Sequence, residues 1–333
     1  MSSNHKSVFV PRKQKHHYVW GHYLSRWEVA DKESYIWFST VKNTAVCDSI
    51  SGRCCQQNFY KIRTLDRIHF EVIRSFFGDS DDNVIKQADD FFEKNRKLKI
   101  VENMTSNNEE KEKEKEKCIN IIKSNMFEEL HTSIENFSKE ILTSLANGKL
   151  EVLDNEKNMI NFLNFLGHQE MRTESIKHRF VETIKKRNIV LAKKVEECWF
   201  LASFLFGIRR ANSLIYGRAR DRHTLLINET EEPFITSDQP VINAHPSLTL
   251  ESTQQLADDE YDIYYPISPI YGYMIHRSKR FEEGKVTVSI DIVRELNKKI
   301  AQNSNKLIIG NQENIVKKYK KYVGTKIKLI KTA

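Results

Sequence analysis

The sequence predicts a mixed α/β or α+β fold: a small N-terminal β element, a long helical middle and a C-terminal mixed β-sheet with helices. Two observations support this. Between about residues 65 and 213 Pro is absent and Gly is scarce, so the strongest helix breakers are missing. Short runs rich in β-branched and aromatic residues lie on both sides of that middle and indicate strands.

The N-terminal region, residues 1–64, contains the first of these strands. Residues 35–41, Tyr-Ile-Trp-Phe-Ser-Thr-Val, have the composition of a strand, and residues 44–47 are its expected pairing partner. The stretch around residue 10 holds too few apolar residues for the core of a signal peptide.

The helical region, residues 65–215, contains one low-complexity stretch at 105–118, in which Glu and Lys alternate. With no apolar stripe, this stretch is either a solvated helix or a mobile linker, and we expect flexibility there. The longest apolar run, residues 198–208, is about half the roughly 20 residues that a membrane helix needs. It predicts a buried core helix and no membrane association.

The C-terminal region, residues 216–333, alternates strands with one helix. A helix is expected from about residue 291 to 303, where apolar residues recur at four-residue spacing. Short strands are predicted at 224–228, 234–236, 261–265, 271–275 and 307–309. We expect the three regions to form one composite domain, since 333 residues suit one large domain or two closely packed lobes.

Composition narrows the class of protein. An apolar content of 39% supports a sizeable core. A formal charge of +8 fits contact with a polyanion, most commonly nucleic acid, although a lysine-rich surface can also be unremarkable. The five cysteines are odd in number and form no Cys-x-x-Cys pair, which argues against a disulfide framework or a zinc knuckle. A reducing, cytoplasmic location is expected.

An N-terminal histidine pair is the first candidate for chemistry. His16 and His17 carry side chains whose unperturbed pKa lies near neutrality, which suits acid–base catalysis or metal binding. Adjacent side chains point in different directions, so at most one of the two is expected in a site. The alternative is a basic surface cluster.

A second candidate lies on the helix that begins near residue 155. Its apolar stripe ends in Gln169 and Arg172, which is unusual because buried amide and guanidinium groups need partners. Arg172 offers donors that match carboxylate or phosphate. The alternative is a structural ion pair of Arg172 with Glu71 or Asp238.

The third candidate is a polar strand end. Ser237 and Asp238 follow a predicted strand, and a carboxylate at the carboxyl end of a strand can face a cleft in an α/β sheet. Asp238 could bind a metal, act as a base or accept a ligand hydroxyl. The alternative is a local turn in which Ser237 or Asp238 satisfies its own backbone. Asn297, on the predicted C-terminal helix, could reach the same cleft.

Taken together, these motifs resemble the bacterial domain of unknown function 4238 (DUF4238) family. The resemblance is carried, in order along the chain, by His16-His17-Tyr18, Asn58-Phe59-Tyr60, Gln169-x-x-Arg172-Thr173, Phe234-Ile235-Thr236-Ser237-Asp238-Gln239-Pro240-Val241, Pro266-Ile267-Ser268-Pro269 and Glu295-Leu296-Asn297. One departure is Glu174, where the family pattern continues with proline. The family's reaction is unassigned, but its members are similar to proteins found among anti-phage defence genes.

The resemblance leads to two functional hypotheses. In the first, the protein is a defence effector nuclease that acts on phosphodiester bonds, with His16 or His17, Arg172 and Asp238 as catalytic residues. Asp238 would hold a Mg²⁺ or Mn²⁺ ion, and Gln169, Thr173, Ser237 and Asn297 would bind substrate. In the second, the protein is a non-catalytic sensor that binds a phage component, a nucleotide or nucleic acid, acting through a partner or as a homo-oligomer. A third possibility is that the motifs only join the sheet to the helices.

Overall fold

The computed structural model describes residues 10–40, 42–78, 82–249, 257 and 259–332. The expected order of a small N-terminal strand region, a helical middle and a C-terminal sheet with helices is confirmed. Among the described residues, no helix combines the length and the apolar character that crossing a membrane requires. Residues 1–9, which were assessed above for a signal peptide, lie outside the described part of the chain.

The described residues of the N-terminal region form four short strands and one short α-helix. The hairpin predicted from residues 35–41 and 44–47 is confirmed as an antiparallel pair, although Val41 lies outside the described residues. A second antiparallel pair, at Lys15–His17 and Cys55–Gln57, was not predicted. The elements are β1 (Lys15–His17), α1 (Gly21–Leu24), β2 (Tyr35–Ser39), β3 (Ala45–Ser49) and β4 (Cys55–Gln57).

The middle of the chain is helical, as predicted, and its described residues form seven α-helices. The apolar run at 198–208 lies in the last of them and is mostly buried. The charged run at 109–117 forms the first turns of the longest helix, so the solvated-helix alternative is the observed one. The helices are α2 (Arg67–Phe77), α3 (Asp82–Asn103), α4 (Glu109–Ala146), α5 (Glu156–Met171), α6 (Glu174–Lys185), α7 (Ile189–Glu197) and α8 (Trp199–Gly217).

Helices α5 and α8 approach each other closely because each has a glycine at the crossing. A Cβ atom at Gly167 would lie 2.5 Å from the Ala211 backbone nitrogen, and one at Gly207 would lie 2.4 Å from Nδ1 of His168. Neither position therefore accepts a side chain without moving the helices apart. The contact fixes the end of α5, where Gln169 lies.

The C-terminal region supplies the remaining strands. The predicted strands at 224–228, 261–265, 271–275 and 307–309 and the predicted helix are confirmed within two residues at their ends. The strand expected at 234–236 is displaced, because the Ile235 amide donates to the Asn297 side chain and only Thr236 and Ser237 pair in a sheet. The elements are β5 (Arg222–Ile227), β6 (Thr236–Ser237), β7 (Ile242–Asn243), β8 (Asp262–Pro266), β9 (Tyr271–His276), β10 (Gly284–Thr287), α9 (Ile290–Asn303), β11 (Ile308–Gly310), α10 (Glu313–Tyr319) and α11 (Thr325–Thr332).

Of the two larger sheets, one lies within the C-terminal region and the other joins that region to the N-terminal one. The five-stranded sheet has the order β10-β5-β9-β8-β7, with β10 parallel to β5 and the other pairs antiparallel. The four-stranded sheet has the order β3-β2-β11-β6 and is antiparallel. Its strands come from both ends of the chain.

Buried hydrogen bonds fasten the N-terminal region to the C-terminal one. The Tyr23 hydroxyl lies 2.6 Å from the Thr236 hydroxyl and donates to the Pro266 carbonyl at 2.8 Å. The Trp27 indole donates to the Phe234 carbonyl at 2.8 Å. Both rings are fully buried, so these bonds are shielded from water. The Thr236–Ser237 segment is therefore held from the N-terminal side.

Candidate functional site

A cluster of buried polar side chains lies between β1, α4 and the end of α5, and we call it the polar centre. Helix α4 contributes Glu128, His131 and Glu135, at spacings that place them along one face. The end of α5 contributes polar side chains one turn apart. The members of the polar centre are His16, Tyr60, Glu128, His131, Glu135, His168, Gln169 and Arg172.

Arg172 lies at the heart of the polar centre, with only 2% of its surface exposed. Its Nη2 donates to Glu135 at 2.5 Å and to the Gln169 side-chain oxygen at 2.8 Å. Although burial opposes the charged form, the Glu135 carboxylate raises the pKa of Arg172. The alternative of a structural ion pair is thus observed, but its partner is Glu135. The partners proposed from the sequence, Glu71 and Asp238, bind other groups.

The side chains of the histidine pair point in different directions, as expected for neighbours on a strand. His16 is buried, its Nδ1 accepts the Tyr60 amide at 2.8 Å, and its Nε2 lies 3.1 Å from the Lys13 carbonyl, to which it donates in that tautomer. Burial lowers the pKa of His16. The His17 side chain is 40% exposed, with Nδ1 3.7 Å from Glu128. Of the two, only His17 has a ring that solvent reaches.

Two further histidines of the polar centre have unused ring nitrogens. Neither nitrogen of His131 forms a hydrogen bond, and Nδ1 of His168 forms none. Burial, with the positive charge of Arg172, lowers the pKa of His168 to about 3 and the pKa of His131 well below its ordinary value. Both rings are therefore neutral near physiological pH, and they pack as aromatic surfaces 5.9 Å apart.

Gln169 and Thr173 connect α5 to other regions. The Gln169 amide donates to the Tyr18 carbonyl at 2.9 Å. Thr173 caps α6 through its hydroxyl, which accepts the Ile176 amide and donates to the Gln239 side chain. Both side chains, predicted to bind substrate, are instead buried with protein partners.

Asp238 holds the loop before β11. Its Oδ1 accepts the Asn305 amide at 2.8 Å, and its Oδ2 accepts the Lys306 and Leu307 amides at 2.6 and 3.3 Å. The residue is fully buried, and burial raises its pKa to about 6. The expected opening of Asp238 onto a cleft is therefore wrong, and so is its expected contact with Arg172. A strand-end carboxylate can turn to a neighbouring loop as readily as to a cleft.

A metal ion was expected at Asp238. In the part of the chain that the structure describes, no three His, Cys, Asp or Glu side chains are grouped so that they could hold a metal ion. Both oxygens of Asp238 already accept backbone amides, so a cation there would replace three hydrogen bonds. The donor set around Asp238 does not fit a Mg²⁺ or Mn²⁺ site.

Ser237 and Asn297 satisfy backbone groups. The Ser237 hydroxyl accepts the Gln239 amide and donates to the Gln239 carbonyl, both at 3.0 Å, which is the local turn considered as an alternative. Asn297 reaches inward as predicted, where it accepts the Ile235 amide and donates to the Pro233 carbonyl, both at 2.9 Å. Both residues thereby shape the segment that leads into β6.

Two of the cavities among the described residues lie beside the C-terminal five-stranded sheet, and neither was predicted from the sequence. One, of about 540 Å³, lies between the start of α5 and the five-stranded sheet, and His223 forms its buried wall. Nδ1 of His223 lies 2.6 Å from the Tyr273 hydroxyl. At its rim Arg218 pairs with Glu156 at 2.6 Å. The charges at this rim are therefore partly neutralised within the protein.

The other cavity, of about 480 Å³, lies between α6, β7 and α11, and we call it the basic cavity. Its walls are mainly apolar, and Arg179 and Lys326 supply its positive charge. The sequence does contain an indication of this site, because Arg179 interrupts the apolar residues Ile176, Phe180 and Ile184 of one helix. That pattern does not predict that α6 packs beside α11.

Comparison with known proteins gives one match. No curated protein and no solved structure matches the chain. Residues 210–314 match the model of a family described as "Protein of unknown function (DUF4238)". This segment runs from α8 through β11 and includes Asp238 and Asn297, so the predicted resemblance to the DUF4238 family is confirmed over these residues, which make up less than half of the chain.

Proposed function

We propose that this protein is a binding module for nucleic acid that serves as a sensor in anti-phage defence. The observation that supports this is a lysine surface at the C-terminal end, formed by Lys298, Lys320, Lys321 and Tyr322. Lys298 and Lys321 place their ammonium groups 5.4 and 5.1 Å from the centre of the Tyr322 ring. Both lysines are exposed.

The charge of this surface is not neutralised within the described residues. Lys298 and Lys321 form no ion pair there, and Lys320 donates only to the Asn43 carbonyl. Exposed cations on other helices do have carboxylate partners, as Arg74 has Asp89 and Arg96 has Glu93. Unpaired lysines beside an aromatic ring suit the phosphates and bases of a nucleic acid strand.

Nuclease activity, the first hypothesis from the sequence, stays a prediction. It would require Asp238 or Arg172 to reach substrate, whereas Asp238 accepts three amides and Arg172 is bound to Glu135 and Gln169. At the edge of the polar centre, solvent reaches His17, which lies beside Glu128. A binding role needs no such rearrangement and is therefore the better supported of the two.

The defence role rests on the family resemblance. Members of the family are similar to proteins found among anti-phage defence genes, and a sensor in that setting must recognise a product of infection. Phage nucleic acid is the class that matches a lysine surface. A phage protein with an acidic face is the alternative ligand.

Fluorescence anisotropy of the whole protein with labelled single-stranded RNA, single-stranded DNA and duplex DNA tests the proposal. We expect binding that weakens as salt rises, because counterions are released from the phosphates. The double variant Lys298→Gln, Lys321→Gln should lower the slope of log affinity against log salt by roughly 1.5. The matched control, Lys97→Gln with Lys113→Gln, removes two exposed lysines of α3 and α4 and should leave the slope unchanged.

Two results would contradict the proposal. One is an absence of binding to all three nucleic acids at low salt. The other is equal binding by the Lys298→Gln, Lys321→Gln variant and the wild type. Incubation of the same nucleic acids with Mg²⁺ or Mn²⁺, with and without EDTA, separates the two hypotheses. Cleavage that EDTA abolishes would favour the nuclease, whereas stable binding without cleavage supports the sensor.

Protection of cells against phage provides the test of the defence role. Cells that express the wild-type protein should resist at least one phage, and cells that express the Lys298→Gln, Lys321→Gln variant should lose that resistance. Equal protein levels are checked by immunoblot. Full protection by the variant would separate the defence role from the lysine surface.

A further inference from the structure

The basic cavity has the size and walls of a small-molecule site. Its volume of about 480 Å³ is within the range of ligand pockets, and such pockets are mostly apolar with a few polar groups. The apolar lining residues are Ile176, Phe180, Ile184, Val241, Leu248 and Ile330. Such walls accept an aromatic or aliphatic body.

Arg179 on α6 is poorly satisfied inside this cavity. Its Nε is buried and forms no hydrogen bond, and its Nη1 reaches only the Asn303 side chain at 3.4 Å. The carboxylate in the cavity wall, Glu170, is already bound by the Arg210 guanidinium at 2.6 Å. Arg179 therefore keeps donors that a ligand anion could use.

Two lysines add to the positive charge beside Arg179. Lys326 on α11 lines the cavity, and Lys299 on α9 lies close to Lys326, with its ammonium donating to the His245 and Leu248 carbonyls. Burial, followed by the charges of Arg179 and Lys299, lowers the pKa of Lys326 to about 8. Arg179 and Lys326 thus line one cavity in which Glu170, the carboxylate among the described lining residues, is already bound by Arg210, and this arrangement favours the binding of an anion.

The amides of the cavity do not compete for that anion. Asn303 donates to the Lys299 carbonyl and accepts from Arg179, while Asn243 is bound to Glu260, His245 and Asp262. The groups left to recognise a ligand are the guanidinium of Arg179 and the ammonium of Lys326. A planar fork beside a point charge matches the oxygens of a phosphate.

We propose that the basic cavity binds a small phosphate ester with an aromatic body, of the size of a nucleoside monophosphate. The phosphate lies between Arg179 and Lys326, and the aromatic body lies against the apolar side chains of α6. This site is separate from the lysine surface, so the proposal goes beyond nucleic acid binding and does not depend on it.

Calorimetric titration of the whole protein with AMP tests the proposal. Adenosine, inorganic phosphate and octanoate are titrated in parallel, so that each half of the ligand and a singly charged amphiphile are compared with it. We expect AMP to bind at least about tenfold more tightly than any of the three, because only AMP offers both parts. Octanoate binding as tight as AMP would overturn the phosphate assignment, and no binding of AMP would overturn the site.

Variants on the same helices provide the controls. Arg179→Gln and Lys326→Met should each weaken AMP binding at least about tenfold. Lys186→Met and Arg187→Gln, exposed residues just beyond α6, should leave it unchanged. AMP should also raise the melting temperature of the wild type and of these controls, but much less that of the Arg179 and Lys326 variants. Unchanged AMP affinity in both cavity variants, when they melt no lower than the wild type, would overturn the proposal.

The same titration separates this proposal from the proposed function. The Lys298→Gln, Lys321→Gln protein should bind AMP like the wild type, and Arg179→Gln should keep its affinity for nucleic acid. Loss of both activities in each protein would show one shared site, which contradicts the separate cavity. Failure of AMP binding with intact nucleic acid binding would reject the cavity alone.

Discussion

Arg172 and Arg179 each have a buried Nε without a hydrogen bond, but the surroundings of the two side chains are opposite. Arg172, in the polar centre, donates to a carboxylate and an amide, and the Glu135 carboxylate raises its pKa despite burial. Arg179, in the basic cavity, reaches one amide oxygen at 3.4 Å, and burial lowers its pKa. The Arg172 guanidinium is hydrogen-bonded to its counter-charge, whereas Glu170, the carboxylate near Arg179, is already bound by Arg210. The comparison indicates that buried charge alone does not mark a site, whereas buried charge without a partner does.

Breaking the Arg172 ion pair should have the largest effect. Arg172→Met leaves the Glu135 carboxylate buried without a counter-charge, and such losses cost about 3–5 kcal/mol of unfolding free energy. Urea denaturation followed by circular dichroism measures it. The control, Arg96→Met, removes an exposed arginine that pairs with Glu93, and it should hardly change the midpoint. A wild-type midpoint for Arg172→Met would mean that the polar centre does not stabilise the fold and is open to a functional role.

Acidification should weaken the polar centre through its neutral histidines. The pKa of His168 is about 3 in the folded state and about 6.5 in the unfolded state, so the unfolded state binds more protons at pH values between these. Stability should therefore fall below about pH 6.5, with His168 alone contributing a loss of about 2 kcal/mol by pH 5. His168→Gln cannot take up this proton, so its stability should fall less steeply over the same range. Parallel pH profiles would contradict this.

The smallest expected effect is a gain of stability when the charge of Lys326 is removed from the basic cavity. The pKa of Lys326 is lowered to about 8, and in the unfolded state it is near 10.4. Below pH 8 the charge faces Arg179 on α6 and Lys299 on α9, so Lys326→Met should raise stability by about 1 kcal/mol after allowance for partial exposure.

The contribution of Lys326 to stability should increase as pH rises, whereas the contribution of a stabilising lysine charge would decrease. Between about pH 8 and 10 the unfolded state binds the extra proton, so wild-type stability should gain a favourable contribution as pH rises. Lys326→Met should lack this contribution. Thermal melts of both proteins across this range measure the difference, and a loss of stability in Lys326→Met at pH 7 would show that the ammonium has a stabilising partner.

The fold was largely predictable because its signals are local. Missing helix breakers and β-branched runs indicate helices and strands within a few residues of one another. The strands that were missed, β1, β4, β7 and β10, are two to four residues long and are formed by tertiary pairing. Such short segments carry no pattern of their own.

The site was predicted only in part because its signals are not local. Gln169 and Arg172 were correctly singled out as a pair that needs partners, yet the partner Glu135 lies on another helix with no pattern that points to it. Asp238 was assigned to a cleft because a polar strand end looks the same whichever way the side chain turns. Its real partners, the amides of residues 305–307, are backbone groups, which no side-chain motif can signal.

The four-stranded sheet determines which parts of this chain must stay together when the gene is fused, truncated or exchanged. Its strands β2 and β3 come from the N-terminal region, and β6 and β11 lie within the segment 210–314 that matches the family. A fragment with only that segment would expose the edge of β11 that β2 covers, together with the apolar side chains behind it. The matched segment is therefore a unit of sequence similarity and not a unit of folding. Gene fusion or exchange would preserve this architecture only by carrying the N-terminal strands along with it.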